Sequence, residues 1–156
     1  DTPYIIEKLL NKINASPHRC RNSDGIKVSI QVFLNSGGGF MEDGYKLGEI
    51  LRTKQTKTII SPFGGDCYSS CATAFLGGFF RTMGKESVLM FHAPYEYIRT
   101  RDIACSTSDE KLLAYMKKML NETDGQFLYE RTMSYCSKTI GWSLNKDAAD
   151  LFGILN

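Results

Sequence analysis

The chain has 156 residues, 42% of them hydrophobic and 23% charged, with a formal net charge of +2. That balance is ordinary for a globular protein, and the length gives one domain able to bury a core. Arg99 to Arg101, the densest basic stretch, is too short for a nucleic-acid footprint, and no apolar run approaches the roughly 20 residues of a spanning helix. A start at Asp1, without Met or signal peptide, fits a trimmed chain or a mature secreted form.

Ile5 to Ile13 carries apolar residues at helical spacing, and Pro17, Asn22 and Gly25 then break the chain. Lys27 to Leu34 is predicted as a strand covered on both sides, because Val28, Ile30, Val32 and Leu34 share one face and Phe33 adds apolar surface to the other. Three glycines, Gly37 to Gly39, close it. Met41 to Thr53 reads as a helix with Leu47, Ile50 and Leu51 turned inward, and Thr56 to Ser61 as a second strand. After a turn at Gly64-Gly65-Asp66, Ser69 to Phe80 reads as one apolar helix. Ser87 to Phe91 is the third strand, and His92 follows it. The order strand, helix, strand, helix, strand predicts an α/β fold with largely parallel pairing.

Tyr95 to Ser106 is irregular and reads as a loop. A long amphipathic helix opens at Ser108, capped by Ser106 or Ser108, with Asp109 and Glu110 suited to its N-terminal dipole. Leu112, Leu113, Met116, Met119 and Leu120 form its apolar face, which serves the core or a subunit interface. Gly125 to Tyr135 and Asn145 to Phe152 complete the helices, the last ended by Gly153.

Five cysteines (Cys20, Cys67, Cys71, Cys105 and Cys136) leave at least one unpaired within the chain. A Cys67–Cys71 disulfide would stiffen the turn between them and would favour a secreted or periplasmic setting over a cytoplasmic one. Cys67, Cys71 and His92 lack a fourth ligand for zinc, so no metal site is expected.

The chemistry concentrates between Asn35 and His92. In an α/β sheet, ligands sit at the carboxyl ends of the strands, and the glycine turn, the Ser69-Ser70 pair and His92 all fall there. Gly38 and Gly39 let the backbone approach a substrate and, with the amide of Cys71, would donate to an oxyanion. Ser70 would be the nucleophile and His92 its general base, with Ser69 as the rival serine. The competing structural readings are a tight turn for the glycines, a helix N-cap for Ser70 and a strand-end histidine without chemistry for His92.

These segments carry a resemblance. LNSGGGFMEDGYKLGEIL, CYSSCATAFLGG, LMFHAP and NKDAADLFGILN occur in the order of corresponding segments in the ClpP serine peptidases and their relatives, SppA and the crotonase-fold enzymes. The resemblance implies a single ClpP/crotonase-like domain over residues 1–156, with the family's first strand either missing or lying upstream of Asp1. It implies a serine peptidase that hydrolyses peptide bonds through an acyl-enzyme on Ser70, with His92 as base and Gly38, Gly39 and Cys71 as oxyanion donors. No cofactor is implied. The partners implied are a peptide or protein substrate and further copies of the chain, contacted through the helix from Ser108. A cysteine just after the serine pair also resembles exported ClpP-class proteins. The family's triad aspartate falls at Gly141, between Ile140 and Trp142, which leaves Asp102 or Asp109 to orient His92, or a Ser–His pair acting alone. Two alternatives follow: a catalytically inactive ClpP-like domain used for binding or assembly, and a crotonase acting on acyl-CoA.

Overall fold

The computed structural model describes residues 1–156. Helix α1 (Thr2–Ala15) starts on Asp1, whose carboxylate accepts from the Tyr4 amide at 3.3 Å, and Pro3 sits in its first turn, where a missing amide donor is harmless. Strand β1 (Gln31–Leu34) is half as long as expected. The preceding residues fold back on the 19–22 loop instead: the Val28 amide donates to Cys20 O, and the Arg19 guanidinium donates to Val28 O at 2.6 Å. Nor is β1 covered on both sides, for Phe33 is 61% exposed.

Helix α2 (Met41–Thr53) has the predicted bounds but a different inner face: Gly44, Tyr45, Gly48 and Leu51 are buried, while Leu47 and Ile50 are only half-buried. The glycines decide this. A Cβ on Gly44 would lie 2.7 Å from the Ser70 carbonyl oxygen, so α2 meets the next helix backbone to backbone.

Strands β2 (Lys57–Ile60) and β3 (Asp66–Tyr68) lead to helix α3 (Ser70–Leu76). The predicted helix to Phe80 is an overreach: α3 stops at Gly77, and Phe80–Met83 is a strand, β4. Strand β5 (Val88–Phe91) follows as expected. The expected loop from Tyr95 is instead an antiparallel hairpin of β6 (Tyr95–Tyr97) and β7 (Ile103–Cys105). Helix α4 (Glu110–Met119) is capped by Asp109 rather than by either serine, the carboxylate accepting from the Leu112 amide at 2.9 Å. Helix α5 (Glu122–Met133) begins earlier than predicted because Asn121 caps it. Strand β8 (Trp142–Leu144) and helix α6 (Lys146–Leu151) close the fold, with Gly153 at φ +71° just past α6.

Two three-stranded sheets result, in the orders β1–β2–β4 and β3–β5–β8. All pairs are parallel except β5–β8. A parallel bridge between Ser36 and Cys67 joins the sheets, so the chain just beyond β1 runs beside β3. The core lies between these sheets and α3, α4 and α5, around Phe75, Leu89, Phe91, Met116, Leu128 and Leu144, each 2% exposed or less. Burial of each such side chain contributes about 1.5–3 kcal/mol. Arg81 is buried as well, at 5% exposure. Its guanidinium donates to the Ile154 and Gly78 carbonyls at 2.6 and 2.9 Å, which fastens the C-terminal turn to β4. Burial, with the Arg52 charge adding to it, brings the Arg81 pKa down to about 10.

Candidate active site

Three turns meet where the two sheets join. The Ser36 amide donates to Asp66 O at 2.7 Å and the Tyr68 amide to Ser36 O at 3.0 Å, which sets the glycine turn beside the end of β3. The Ser69 amide then donates to Met90 O at 2.9 Å, two residues before His92. The predicted glycines, serine pair and histidine are therefore brought to one edge.

The turn is tight. A Cβ on Gly38, which has φ +103°, would lie 2.7 Å from both the Ser69 Cβ and the Tyr68 carbonyl oxygen and 3.2 Å from the Ser70 nitrogen. Only glycine fits both the dihedral and the space. The Gly38 amide donates to Ser36 Oγ at 3.2 Å, whereas the Gly39 amide makes no intramolecular hydrogen bond and stays available as a donor.

The two serines differ. Ser70 is the first residue of α3 and only 7% exposed. With Cys71, Gly38 and Gly39 it lines a groove of about 440 Å³ that runs along β1 and does not include His92. Ser69 precedes the helix with φ +57° and ψ −124°, a combination that costs a non-glycine residue about 1–3 kcal/mol. It occupies the N-cap position, yet its hydroxyl caps nothing. Ser69 instead lines a second cavity, of about 490 Å³, together with Gly38, Gly39, His92, Tyr95 and Lys138. A serine held on a sharp, strained strand-to-helix turn with its hydroxyl unused has the form of a nucleophile elbow. Spacing to Ala74 and Phe75 favours Ser70 from the sequence, whereas the backbone geometry favours Ser69. The distinguishing signal is a backbone dihedral.

His92 is 5% exposed, and its ring stacks on Tyr95 with centroids 5.7 Å apart. Its Nδ1 lies 2.9 Å from the Ala93 carbonyl oxygen. A carbonyl only accepts, so Nδ1 carries the proton and Nε2 is left as the basic nitrogen. No carboxylate hydrogen-bonds the ring. Asp109 is engaged in capping α4, and the side chain of Asp102 makes no bond to His92. Gly141, at the expected aspartate position, packs on the Phe91 backbone and has no side chain to offer. Neither serine hydroxyl is hydrogen-bonded to His92.

Disulfides frame the site. Cys67–Cys71 closes the turn that carries both serines, and Cys105–Cys136 ties β7 to the segment after α5; Cys20 is free and exposed. The hairpin supplies Tyr95 and Tyr97 to the His92 cavity, and the segment after Cys136 supplies Lys138. None of these three was a candidate from sequence. The Tyr-Glu-Tyr alternation of β6 was the available signal. Burial, then the hydrogen bond with Tyr97, pushes the Tyr95 hydroxyl pKa up. Another groove, about 680 Å³ between α1, α2 and α4, contains neither serine nor histidine and is crossed by the Lys111–Glu42 and Lys118–Glu49 ion pairs. No group of His, Cys, Asp and Glu is arranged to hold a metal ion, and no helix is long and apolar enough to cross a membrane.

No protein-family model matches the sequence, and no curated protein is similar to it in sequence. Solved structures are similar in fold. The 1510-N membrane-bound stomatin-specific protease superimposes with a TM-score of 0.69 at 16% identity, over 99% of this chain and 71% of that one. A variant of ClpP1 from Listeria monocytogenes gives 0.67 at 18% identity, over 99% and 82%. The ClpP protease catalytic domain from Plasmodium falciparum gives 0.65 at 19% identity, over 99% and 76%. What is shared at such identities is architecture, and the chain has the α/β fold of the ClpP-like serine proteases.

Proposed function

We propose that the protein is a serine hydrolase of peptide bonds, with Ser69 as nucleophile in place of the expected Ser70 and His92 as general base. The observation that carries this reading is the strained, non-capping Ser69, which shares one cavity with His92 and the glycine turn. Ser69 Oγ attacks the scissile carbonyl carbon and its proton passes to His92 Nε2. The amides of Gly39 and Ser70 donate to the oxyanion; Ser70, one residue after the nucleophile, takes the part expected of Cys71. His92 returns the proton to the leaving amine. Water, deprotonated by the same nitrogen, then releases the acyl group and restores Ser69. The Ala93 carbonyl holds the imidazole tautomer, a task that a triad carboxylate otherwise performs.

A fluorophosphonate probe tests the assignment. Wild type and Ser70→Ala label, while Ser69→Ala and His92→Ala do not. Labelling of Ser69→Ala together with loss in Ser70→Ala would return the role to Ser70.

A catalytically inactive ClpP-like domain used for binding or assembly is the second reading. This reading accommodates a His92 ring whose hydrogen bond is to the Ala93 carbonyl rather than to a serine or a carboxylate. Failure of wild type to label would select it. The two disulfides support a secreted or periplasmic location, where such bonds persist. Self-association is proposed from the apolar surface that Phe33 and Phe40 leave exposed, and light scattering of the purified chain tests it.

A further inference from the structure

We propose that the Ser69–His92 cavity selects substrates bearing a carboxylate, and that Lys138 binds it. This deepens the hydrolase reading and rests on it for the position of the cleaved bond.

Lys138 is the one lysine, arginine or acidic side chain lining the cavity, whose other walls are the glycine turn, Phe40, Met41, Pro94 and the two hairpin tyrosines. It is half-buried and has no carboxylate partner, whereas Lys111, Lys117 and Lys118 each have one within 2.6 Å. Glu96 and Asp102 lie on the same hairpin, as do Arg99 and Arg101, and neither acid pairs with Lys138. An ammonium has three donors. One goes to the Arg101 carbonyl, and the charge rests over the Tyr97 ring, 4.7 Å from its centroid. Two donors remain for a ligand.

The ammonium is also held in place. The Cys105–Cys136 bridge fastens the segment that carries Lys138 to β7, and β7 pairs with β6, which carries both tyrosines. A fixed cation with spare donors, set among apolar and aromatic walls, is a receptor for an anion that brings oxygen acceptors. On a peptide that anion is a carboxylate, from a Glu or Asp side chain or from a free C-terminus. The Lys138 interaction is the same before and during bond cleavage, so it contributes to KM rather than to kcat.

The experiment has two arms. In binding, Ser69→Ala protein is titrated with acetyl-Ala-Ala-Glu-Ala-amide and its Gln counterpart, and with acetyl-Ala-Ala-Ala-Ala as free acid and as amide. The first pair reads an internal carboxylate and the second a terminal one. At least one carboxylate peptide binds about tenfold more tightly than its neutral match, Lys138→Met removes the difference and Lys138→Arg keeps it. In turnover, the same peptides extended with a fluorogenic leaving group show that preference in KM for the unmodified protein. Equal binding of both pairs overturns the inference even where the fluorophosphonate probe labels Ser69. A carboxylate preference that survives Lys138→Met overturns the assignment to Lys138. A Lys138-dependent preference in a chain that never labels supports the carboxylate site and overturns only the hydrolase reading.

Discussion

Gly141 is pressed against the Phe91 carbonyl: a Cβ there would lie 2.4 Å from the oxygen and 2.8 Å from Met90 Cγ. The position at which the ClpP resemblance calls for an aspartate is thus next to the histidine segment in space, yet closed to any side chain. Gly141→Asp is expected to push β8 away from β5 rather than complete a triad. It should cost about 2–3 kcal/mol and give no gain in the fluorophosphonate labelling rate. Urea unfolding and labelling kinetics on one preparation check both. Faster labelling at unchanged stability would show that the segment can yield and that His92 lacks only a carboxylate.

Gly38 and Gly39 are neighbours with different tolerances. A Cβ on Gly38 collides with Ser69 and Tyr68 and adopts a positive φ, whereas one on Gly39 meets only Ser70 Oγ, at an ordinary 3.7 Å. Gly38→Ala is therefore expected to displace the Ser69 turn and lower the labelling rate by about a hundredfold or more, the scale of losing an oxyanion donor. Gly39→Ala should keep its backbone donor and label within a fewfold of wild type. Equal losses in both would mean that the turn acts through its flexibility and not its closeness to Ser69.

Much of this arrangement could be read before the structure was known, and the reason lies in which physical signals are local. Helices α1, α2 and α4 declare themselves by apolar spacing, and α6 by Asn145 before it and Gly153 after it. Strands β3, β6, β7 and β8 have three residues each, too few to show a period. Strand β4 was hidden because Phe79 and Phe80 continue the apolar run of α3 past Gly77 and Gly78. The glycine turn and His92 were apparent because they end strands. The choice between Ser69 and Ser70 was not, since it depends on a dihedral set by the packing of Gly38 and Gly44 against the turn. Lys138 is far from the serines in sequence and reaches the cavity only through the hairpin and the Cys105–Cys136 bridge.

The two disulfides are expected to separate by function. Cys105–Cys136 spans 31 residues and Cys67–Cys71 only four. On chain entropy alone their removal costs about 4 and about 2 kcal/mol respectively. The short bridge closes the Ser69 turn, so Cys67→Ala/Cys71→Ala should lose most of its labelling while remaining folded. Cys105→Ala/Cys136→Ala should be the less stable protein in urea but should retain a Ser69 that labels. The opposite pattern would mean that Gly38 and the Ser69–Met90 hydrogen bond hold the turn unaided.

Alkaline pH should destabilise the fold, and Tyr115 identifies why. Its ring is buried, its hydroxyl donates to Thr73 O at 2.7 Å, and burial, with the Glu49 charge adding to it, raises its pKa well above the ordinary 10.0. Tyr45, packed on it with ring centroids 5.3 Å apart, is shifted upward as well, by burial and then by Asp109. The sign follows from proton counting. Below pH 10 both states keep the Tyr115 proton and it adds no pH dependence. Above pH 10 the unfolded chain releases the proton that the folded chain retains, so stability falls by up to about 1.4 kcal/mol per pH unit for this group. Tyr115→Phe loses the hydrogen bond to Thr73, at a cost of about 1–3 kcal/mol at neutral pH, but its stability should decline with a slope shallower by one proton between pH 10 and 11. Urea midpoints of the two proteins across pH 8–11 measure the difference, and lysines that titrate alike in both cancel from it. Parallel slopes would show that Tyr115 ionises within the folded protein, and that the α2–α4 packing opens to water before the chain unfolds.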